Sequence, residues 1–342
     1  MVRPGSSPCW SPDRAGVVSI AASAEYLRAL SDLGGADEPS FGGKSAALGE
    51  LLGAGVRVPP GFALGRDAFA LARREGGMPA VVRAQIGSAY AALEEQTGLL
   101  APPVAVRSSA VGEDSATATF AGQQETVLWV CGVDAICEAV QVCWESLYSV
   151  EAVTYREHMG DSREPAMGVA IQLMVDSAVS GVLFTCNPVS GDRSMVAINA
   201  SWGLGLAVVG GEVTPDDYLV SKVTRELVRE QIGDKAVEYV PDPDGPGVVL
   251  QDVPAERAAA RCLDSEAIAA LLEVARAAER HFGSNQDVEW AIARTGSPPE
   301  NVFVLQSRPV TTVTQPPPSA PVSALSIVMA KFGVVDKPSE QE

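Results

Sequence analysis

Two short segments near the C-terminal end constrain the fold of this chain more than any other feature. Asp-Val-Glu-Trp-Ala-Ile at 287–292 alternates strictly, so Val288, Trp290 and Ile292 fall on one face of a strand and Asp287 and Glu289 on the other. A second run, Val-Phe-Val-Leu-Gln-Ser-Arg at 302–308, follows a turn-rich stretch at 295–301 that holds Gly296, Pro298 and Pro299. The two runs therefore predict an antiparallel hairpin. With the turn centred on Ser297 and Pro298, Glu289 faces Gln306 and Asp287 faces Arg308, each pair about 5 Å apart at Cβ. A carboxylate beside an amide oxygen suits a hard divalent cation such as Mg²⁺, and a neighbouring arginine suits phosphate. A solvated polar face with a surface ion pair would read the same way, and a one-residue slip of register would disperse the cluster.

Elsewhere helices and strands are mixed without regular βαβ alternation, which predicts an α+β fold. The spacing of Ile136, Val140, Cys143, Leu147 and Val150 predicts a helix capped by Asp134 and running to about His158. A second helix starts near Asp264 and buries Ile268, Leu271, Leu272, Ala275 and Phe282. Strand-like runs occupy 104–107, 169–175, 181–185, 195–200, 287–293 and 302–307. The segment PDPDGPG at 241–247 reads as a surface loop.

The chain has 342 residues, enough for two domains or one large bilobed one. With 25 Lys and Arg against 43 Asp and Glu, the net charge is −18, which argues against nucleic acid as a main partner. Six scattered cysteines form no C-x-x-C pair, so a zinc site or redox motif is not expected. No apolar run is long enough for a membrane span, and the opening MVRPGSSPCWSPDRAG lacks the apolar core of a signal peptide. A cytoplasmic location is the expectation. The Pro, Ser and Gly content of 1–16 predicts a disordered start, and 314–342 reads as a Pro-rich flexible tail.

Two glycine motifs fail close inspection. Gly42-Gly43-Lys44-Ser45 would need a glycine at 38 to be a P-loop, and that position is Glu38. It can be a helix-start loop, or it can bring backbone and one ammonium to a phosphate. Trp202-Gly203-Leu204-Gly205 would need a glycine at 208 for a dinucleotide fingerprint, and that position is Val208. The run Val-Ala-Val-Arg-Ser-Ser at 104–109 is a short strand that ends in an arginine and two hydroxyls, residue types that suit a loop folding over phosphates.

Five ordered blocks together resemble the nucleotide-binding domain of the phosphoenolpyruvate synthase, pyruvate phosphate dikinase and rifampicin phosphotransferase group. They are FGGKSAALGELLGAGVRVPPGFAL (41–64), VAVRSSAVGEDSATATFAGQQETVL (104–128), IQLMVDSAVSGVLFTCNPVSG (171–191), WGLGLAVVGGEVTPDDY (202–218), and DVEWAIA with VFVLQSRPVTT (287–293 and 302–312). The resemblance spans 35–313 and implies an ATP-grasp-like bilobed fold, with one lobe at 17–165 and the other at 166–313. It implies ATP and Mg²⁺ as ligands. Lys44, Arg107, Gly122 and Thr126 match positions at the phosphates, Gln172, Met174 and Val175 match the adenine-binding segment, Glu289 and Gln306 match the metal ligands, and Arg308 matches an arginine on the transferred phosphates. Of these, Lys44, Arg107 and Arg308 carry the catalytic charge. One position departs from the pattern: Leu206 stands where the group usually has Glu after Gly-Leu-Gly.

In that group ATP phosphorylates a carrier histidine in a G-G-x-x-S-H loop, with release of AMP and phosphate. This sequence has two histidines, His158 and His281, and neither lies in such a loop. Both read as packing or helix-end residues. The expectation is an ATP-binding subunit of a split dikinase, active with a separate phosphohistidine-carrier subunit and serving a phenol, an alcohol or pyruvate. Two alternatives remain open: a nucleotide-binding regulatory module without turnover, and an ATP-grasp ligase releasing ADP.

Overall fold

The computed structural model describes residues 25–110, 125–150, 152–154 and 166–310. Two antiparallel sheets and a two-stranded ribbon carry most of the strands. The first sheet contains β1 (Leu27–Ala29), β2 (Gly61–Leu64), β3 (Val104–Ala110), β4 (Thr126–Val130) and β5 (Met167–Leu173), in the spatial order β1-β2-β5-β3-β4. The second contains β6 (Ser177–Phe184), β7 (Met195–Trp202), β8 (Asp216–Ser221), β9 (Leu227–Gln231), β12 (Gln286–Ala293) and β13 (Val302–Pro309), in the order β13-β12-β6-β7-β8-β9. The ribbon pairs β10 (Val237–Pro241) with β11 (Val248–Asp252), and the loop expected at 241–247 is its turn. All pairings are antiparallel, as an α+β chain without βαβ alternation requires.

The first sheet owes its two-sided character to alternation. Val104, Val106, Val169 and Ile171 enter a core with α3 (Arg66–Glu75), α4 (Ala80–Thr97) and α5 (Val133–Ser146), which contribute Phe69, Ile86, Leu93, Ile136, Val140 and Trp144. The intervening residues Ala105, Arg107, Ser109, Ala170 and Gln172 take the other face. That face is therefore small and polar.

The second sheet has its own core. Leu183, Ile198, Val220, Val288, Trp290, Ile292, Val302 and Val304 pack against Ile268, Leu271 and Leu272 of the long helix that spans Ser265–Phe282. The same core takes in Leu48 and Leu51 of α2 (Gly43–Gly53), together with Leu30, Phe41, Val56 and Val58. The long helix begins as the sequence predicts: the Asp264 side chain accepts from Ala267 N at 2.8 Å. It ends at Gly283, whose φ of 67° is left-handed. His281 sits in its last turn, edge-on to Phe282 and 4.0 Å from Glu50.

The helix expected from Asp134 differs in detail. Its N-cap is Gly132, at φ 88°, and Asp134 lies inside the first turn, where it pairs with Arg83. The chain enters the helix through a positive φ that glycine adopts readily, so the start falls at Gly132, before Asp134. Ile136, Val140 and Cys143 are fully buried, whereas Val150 is 77% exposed, because the helix stops at Ser146 before the seam reaches it. His158 lies outside the described residues. Burial pushes the Cys143 thiol up to about 12, so it remains a neutral core group.

One buried polar cluster was not foreseen. Lys235 and Asp216 are both fully buried and 2.5 Å apart. Asp216 also accepts from Gly233 N at 2.9 Å, Cys262 N at 2.7 Å and the Tyr218 hydroxyl at 2.9 Å. Burial alone would raise its pKa, but Lys235 and the other donors hold the carboxyl below the ordinary range. A group depressed in this way stabilises the fold above its unfolded pKa, and the contribution is lost as pH falls through the carboxylate range. Lys235→Met removes one partner and strands the other, so it should cost about 3–5 kcal/mol in urea unfolding at pH 7. The deficit should narrow on acidification toward pH 3, where Asp216 is protonated once unfolded.

Candidate nucleotide site

Of the residues singled out in the sequence, Arg107, Thr126, Glu289, Gln306 and Arg308 come together where the polar face of the first sheet meets the β12–β13 hairpin. Arg107 sits on β3, between β4 and β5, with Thr126 and Ala170 directly beside it in register. Its side chain is 10% exposed and reaches across to the second sheet. Nη2 donates to Glu289 Oε2 at 2.8 Å and to Gln306 Oε1 at 2.6 Å, and Nη1 donates to the Leu305 carbonyl at 2.8 Å. These partners lie 182 to 199 residues away along the chain.

The hairpin pairs Glu289 with Gln306 and Asp287 with Arg308, the pairs expected from the turn. Beyond Glu289 the register shifts, so Trp290 faces Val304 and Leu305 is the extra residue of a bulge. Parity explains why. Residues 302, 304, 306 and 308 would share one face of a regular strand, yet Val302 and Val304 are core while Gln306 reaches Arg107. One inserted residue turns the strand over between the two functions. The bulged residue is also the one whose carbonyl accepts from Arg107.

Asp287, next to Glu289 on this face, emerges from the structure as a site residue that motif matching did not assign a role. Its Oδ2 accepts from Arg308 Nε and Nη2, each at 2.8 Å, while its Oδ1 is buried with no hydrogen-bond partner. Burial raises the Asp287 pKa, Arg308 opposes the shift, and Glu289 adds to it. The signal available in the sequence was the alternation that placed Asp287 and Glu289 on one face.

Lys44 lies in the first turn of α2 and is 2% exposed. Its Nζ donates to the Ser108 carbonyl at 2.8 Å, which brings the ammonium to the end of β3, one residue from Arg107. The turn before it is locked down: Gly42 has φ 82°, and a Cβ there would come within 2.0 Å of the Ser109 carbonyl. Ser109 Oγ accepts from Ser45 N at 3.2 Å, satisfying a donor at the α2 N-terminus. The Gly42–Ser45 segment is thus a helix start, and it places the Lys44 ammonium beside the end of β3. Gly203, in the other glycine motif, is a tight turn at φ 71°, with its Cβ position 2.5 Å from the Tyr239 carbonyl.

Gln172 is on the same sheet face, paired with Ala105 and Gly61. It is 2% exposed and its Nε2 has no partner. Met174 and Val175 lie in the connection from β5 to β6, with Val175 packed on Ala291 and Phe303. Thr126 begins β4 beside Arg107. Gly122 lies outside the described residues. Leu206 begins the four-residue helix Leu206–Val209 and is partly buried.

The donor set fits a hard divalent cation held together with phosphates: one carboxylate and one amide oxygen, a further carboxylate oxygen without a partner, and arginines on either side. Among the described residues no group of three or more His, Cys, Asp or Glu is arranged to hold a metal by itself. The orphaned Gln172 Nε2 supplies a buried donor at the far side of the same face, where an acceptor on a ligand would satisfy it.

Residues 72–325 match the family described as "Pyruvate phosphate dikinase, AMP/ATP-binding domain". The chain belongs to that family. Similar proteins include the phosphoenolpyruvate synthase of Aeropyrum pernix, 36% identical, with 80% of this chain and 41% of that protein covered. The probable phosphoenolpyruvate synthase of Methanothermobacter thermautotrophicus is 34% identical, with 90% and 49% covered. That of Archaeoglobus fulgidus is 37% identical, with 83% and 41% covered. The chain thus spans less than half the length of these relatives. Among the described residues, no helix is long and apolar enough to cross a membrane.

The raised pKa of Asp287 has a consequence for stability. Its charged form is disfavoured in the fold, so the group costs stability as pH rises above its unfolded pKa, and the cost is complete once pH passes its folded pKa. Asp287→Asn should therefore equal the parent at pH 4 and match or exceed it at pH 7. Chemical denaturation at the two pH values checks this; a variant less stable at pH 7 than at pH 4, relative to the parent, would contradict it.

Proposed function

We propose that this chain binds MgATP between its two sheets and activates it for transfer of a phosphoryl group to a carrier histidine outside these 342 residues. The observation that carries the reading is the single Arg107 fork that gathers Glu289, Gln306 and the Leu305 carbonyl from the opposite sheet. The proposed arrangement is ATP-grasp-like, with the two sheets on either side of the nucleotide; because β5 (Met167–Leu173) belongs to the first sheet, the division expected at 165/166 does not separate them. Membership of an AMP/ATP-binding family supports it.

In this reading Lys44, Arg107 and Arg308 neutralise the phosphates and Thr126 touches them; Gly122, which the resemblance also places there, lies outside the described residues. Gln172 and the Met174–Val175 segment hold the base. Glu289 and Gln306 hold Mg²⁺, with Asp287 orienting Arg308. When bound, the metal supplies charge neutralisation and polarisation of phosphoryl oxygens. The protein's own contribution is positioning and electrostatic stabilisation, with no covalent role for its side chains. His281 is engaged at Phe282 and Glu50, on a different element from the cluster, and is not placed to accept the group.

The proposed acceptor is a histidine on a separate carrier subunit, which passes the group to a phenol, an alcohol or pyruvate with release of AMP and phosphate. Mixing the chain with a G-G-x-x-S-H carrier and [β-³²P]ATP should label the carrier histidine and form AMP. Formation of ADP instead would indicate a ligase, and nucleotide binding without turnover under any pairing would indicate a regulatory module. Glu289→Ala should abolish labelling, with a loss of about 100-fold or more, while circular dichroism shows an intact fold. Normal turnover by this variant would refute the placement of the metal.

A further inference from the structure

Arg107 does more in this structure than wait for phosphate. One nitrogen, Nη2, lies 2.8 Å from Glu289 Oε2 and 2.6 Å from Gln306 Oε1, the two oxygens assigned above to the metal. Mg²⁺ or Mn²⁺ on those oxygens would sit about 2.1 Å from each. A cation that reached both oxygens from the side facing β3 would run into Nη2, and two positive charges cannot share that side. The donor set is already filled by a cation of the protein itself.

We propose that Arg107 is a resident counter-cation that excludes a divalent metal from Glu289 and Gln306 until nucleotide phosphate draws the guanidinium away. The inference rests on the reading of Glu289 and Gln306 as metal ligands. Its physical basis is burial. Arg107 is 9% exposed and spends both terminal nitrogens on the opposite sheet. Released with nothing to receive it, the guanidinium would be a buried charge without a counter-ion, which is costly. Metal alone offers it no new partner and adds a second positive charge. Phosphate oxygens offer a bidentate partner for the same fork. Metal and phosphate are therefore coupled through one side chain: each removes the obstacle to the other, and the coupling is reciprocal. The arrangement keeps the acidic cluster from taking up free divalent cation and reserves it for cation that arrives with a nucleotide.

The test reads metal binding without any turnover. Mn²⁺ alone is titrated into the full chain and followed by electron paramagnetic resonance. Arg107→Gln removes the charge and should tighten Mn²⁺ binding by about tenfold, within the usual span of such couplings. Arg107→Lys keeps a charge at the site and should stay close to the parent, which separates charge competition from altered packing. In the presence of EDTA, Arg107→Gln should bind ATP more weakly than the parent. Unchanged or weaker Mn²⁺ binding by Arg107→Gln, with a thermal transition like the parent's, would overturn the proposal. The double variant Arg107→Gln with Glu289→Gln separates the two readings. If the gain in Mn²⁺ affinity disappears, Glu289 is the ligand and the proposal holds. If the gain persists, the metal lies elsewhere and the placement of the metal on Glu289 falls with the proposal. If Arg107→Gln shows no gain while Glu289→Gln weakens Mn²⁺ binding, the metal site stands and only the competition is refuted.

Discussion

The contact between Arg107 and the β12–β13 hairpin is the constraint on which the site depends. It is a charged pair with 10% and 27% side-chain exposure, which spans two sheets that each have a separate core. A partly buried pair of this kind adds little net stability, but it fixes where each partner points. Glu289 and Gln306 are aligned by one atom, and Leu305 is held by its neighbour on the same fork. Lys44 reaches the same strand from the other direction, through a glycine turn seated on Ser109. The remaining polar residues follow from the alternation of β3 and β5.

Much of this was legible in the sequence because it is local. Strict alternation at 287–292 puts Asp287 and Glu289 on one face, but the register next to the turn differs from the expected one, with Trp290 facing Val304, and the pairs Glu289–Gln306 and Asp287–Arg308 are reached only through the bulge. The cap at Asp264 and the apolar seam of the long helix were legible for the same reason. The bulge at Leu305 was not read, although its cause was in plain view. Apolar residues at 302 and 304 and polar ones at 306 and 308 cannot share one face of a regular strand. A search for breaks in parity would have found it.

Other features depend on contacts that local pattern does not encode. The buried Asp216–Lys235 pair joins residues 19 apart across the β8–β9 hairpin, and neither side chain shows in isolation that it will be dry. The exposed strand β9 has no apolar alternation and forms because β8 offers it an edge. Asp287 could be placed on the site face but not given a task, because its environment comes from Arg308 and from burial by other elements. The helix at Val133–Ser146 starts earlier than its spacing suggested, at Gly132 instead of Asp134, and it ends sooner, at Ser146.

The placement of α2 bears on how the molecule folds. Its leucines, with Leu30, Phe41, Val56 and Val58, complete the core of the second sheet, although they precede the first sheet's central strands in the chain. The segment after α2 also lies along the outer edge of β13, where Val304 N donates to the Arg57 carbonyl at 2.8 Å and Arg57 Nη1 to the Glu300 carbonyl at 2.9 Å. This covers an edge that would otherwise be open to strand addition. The chain therefore cannot be divided at the β5–β6 connection into two self-sufficient pieces, because the later piece would lack part of its interior. The two sides of the proposed site are held in one unit by apolar residues that lie outside it.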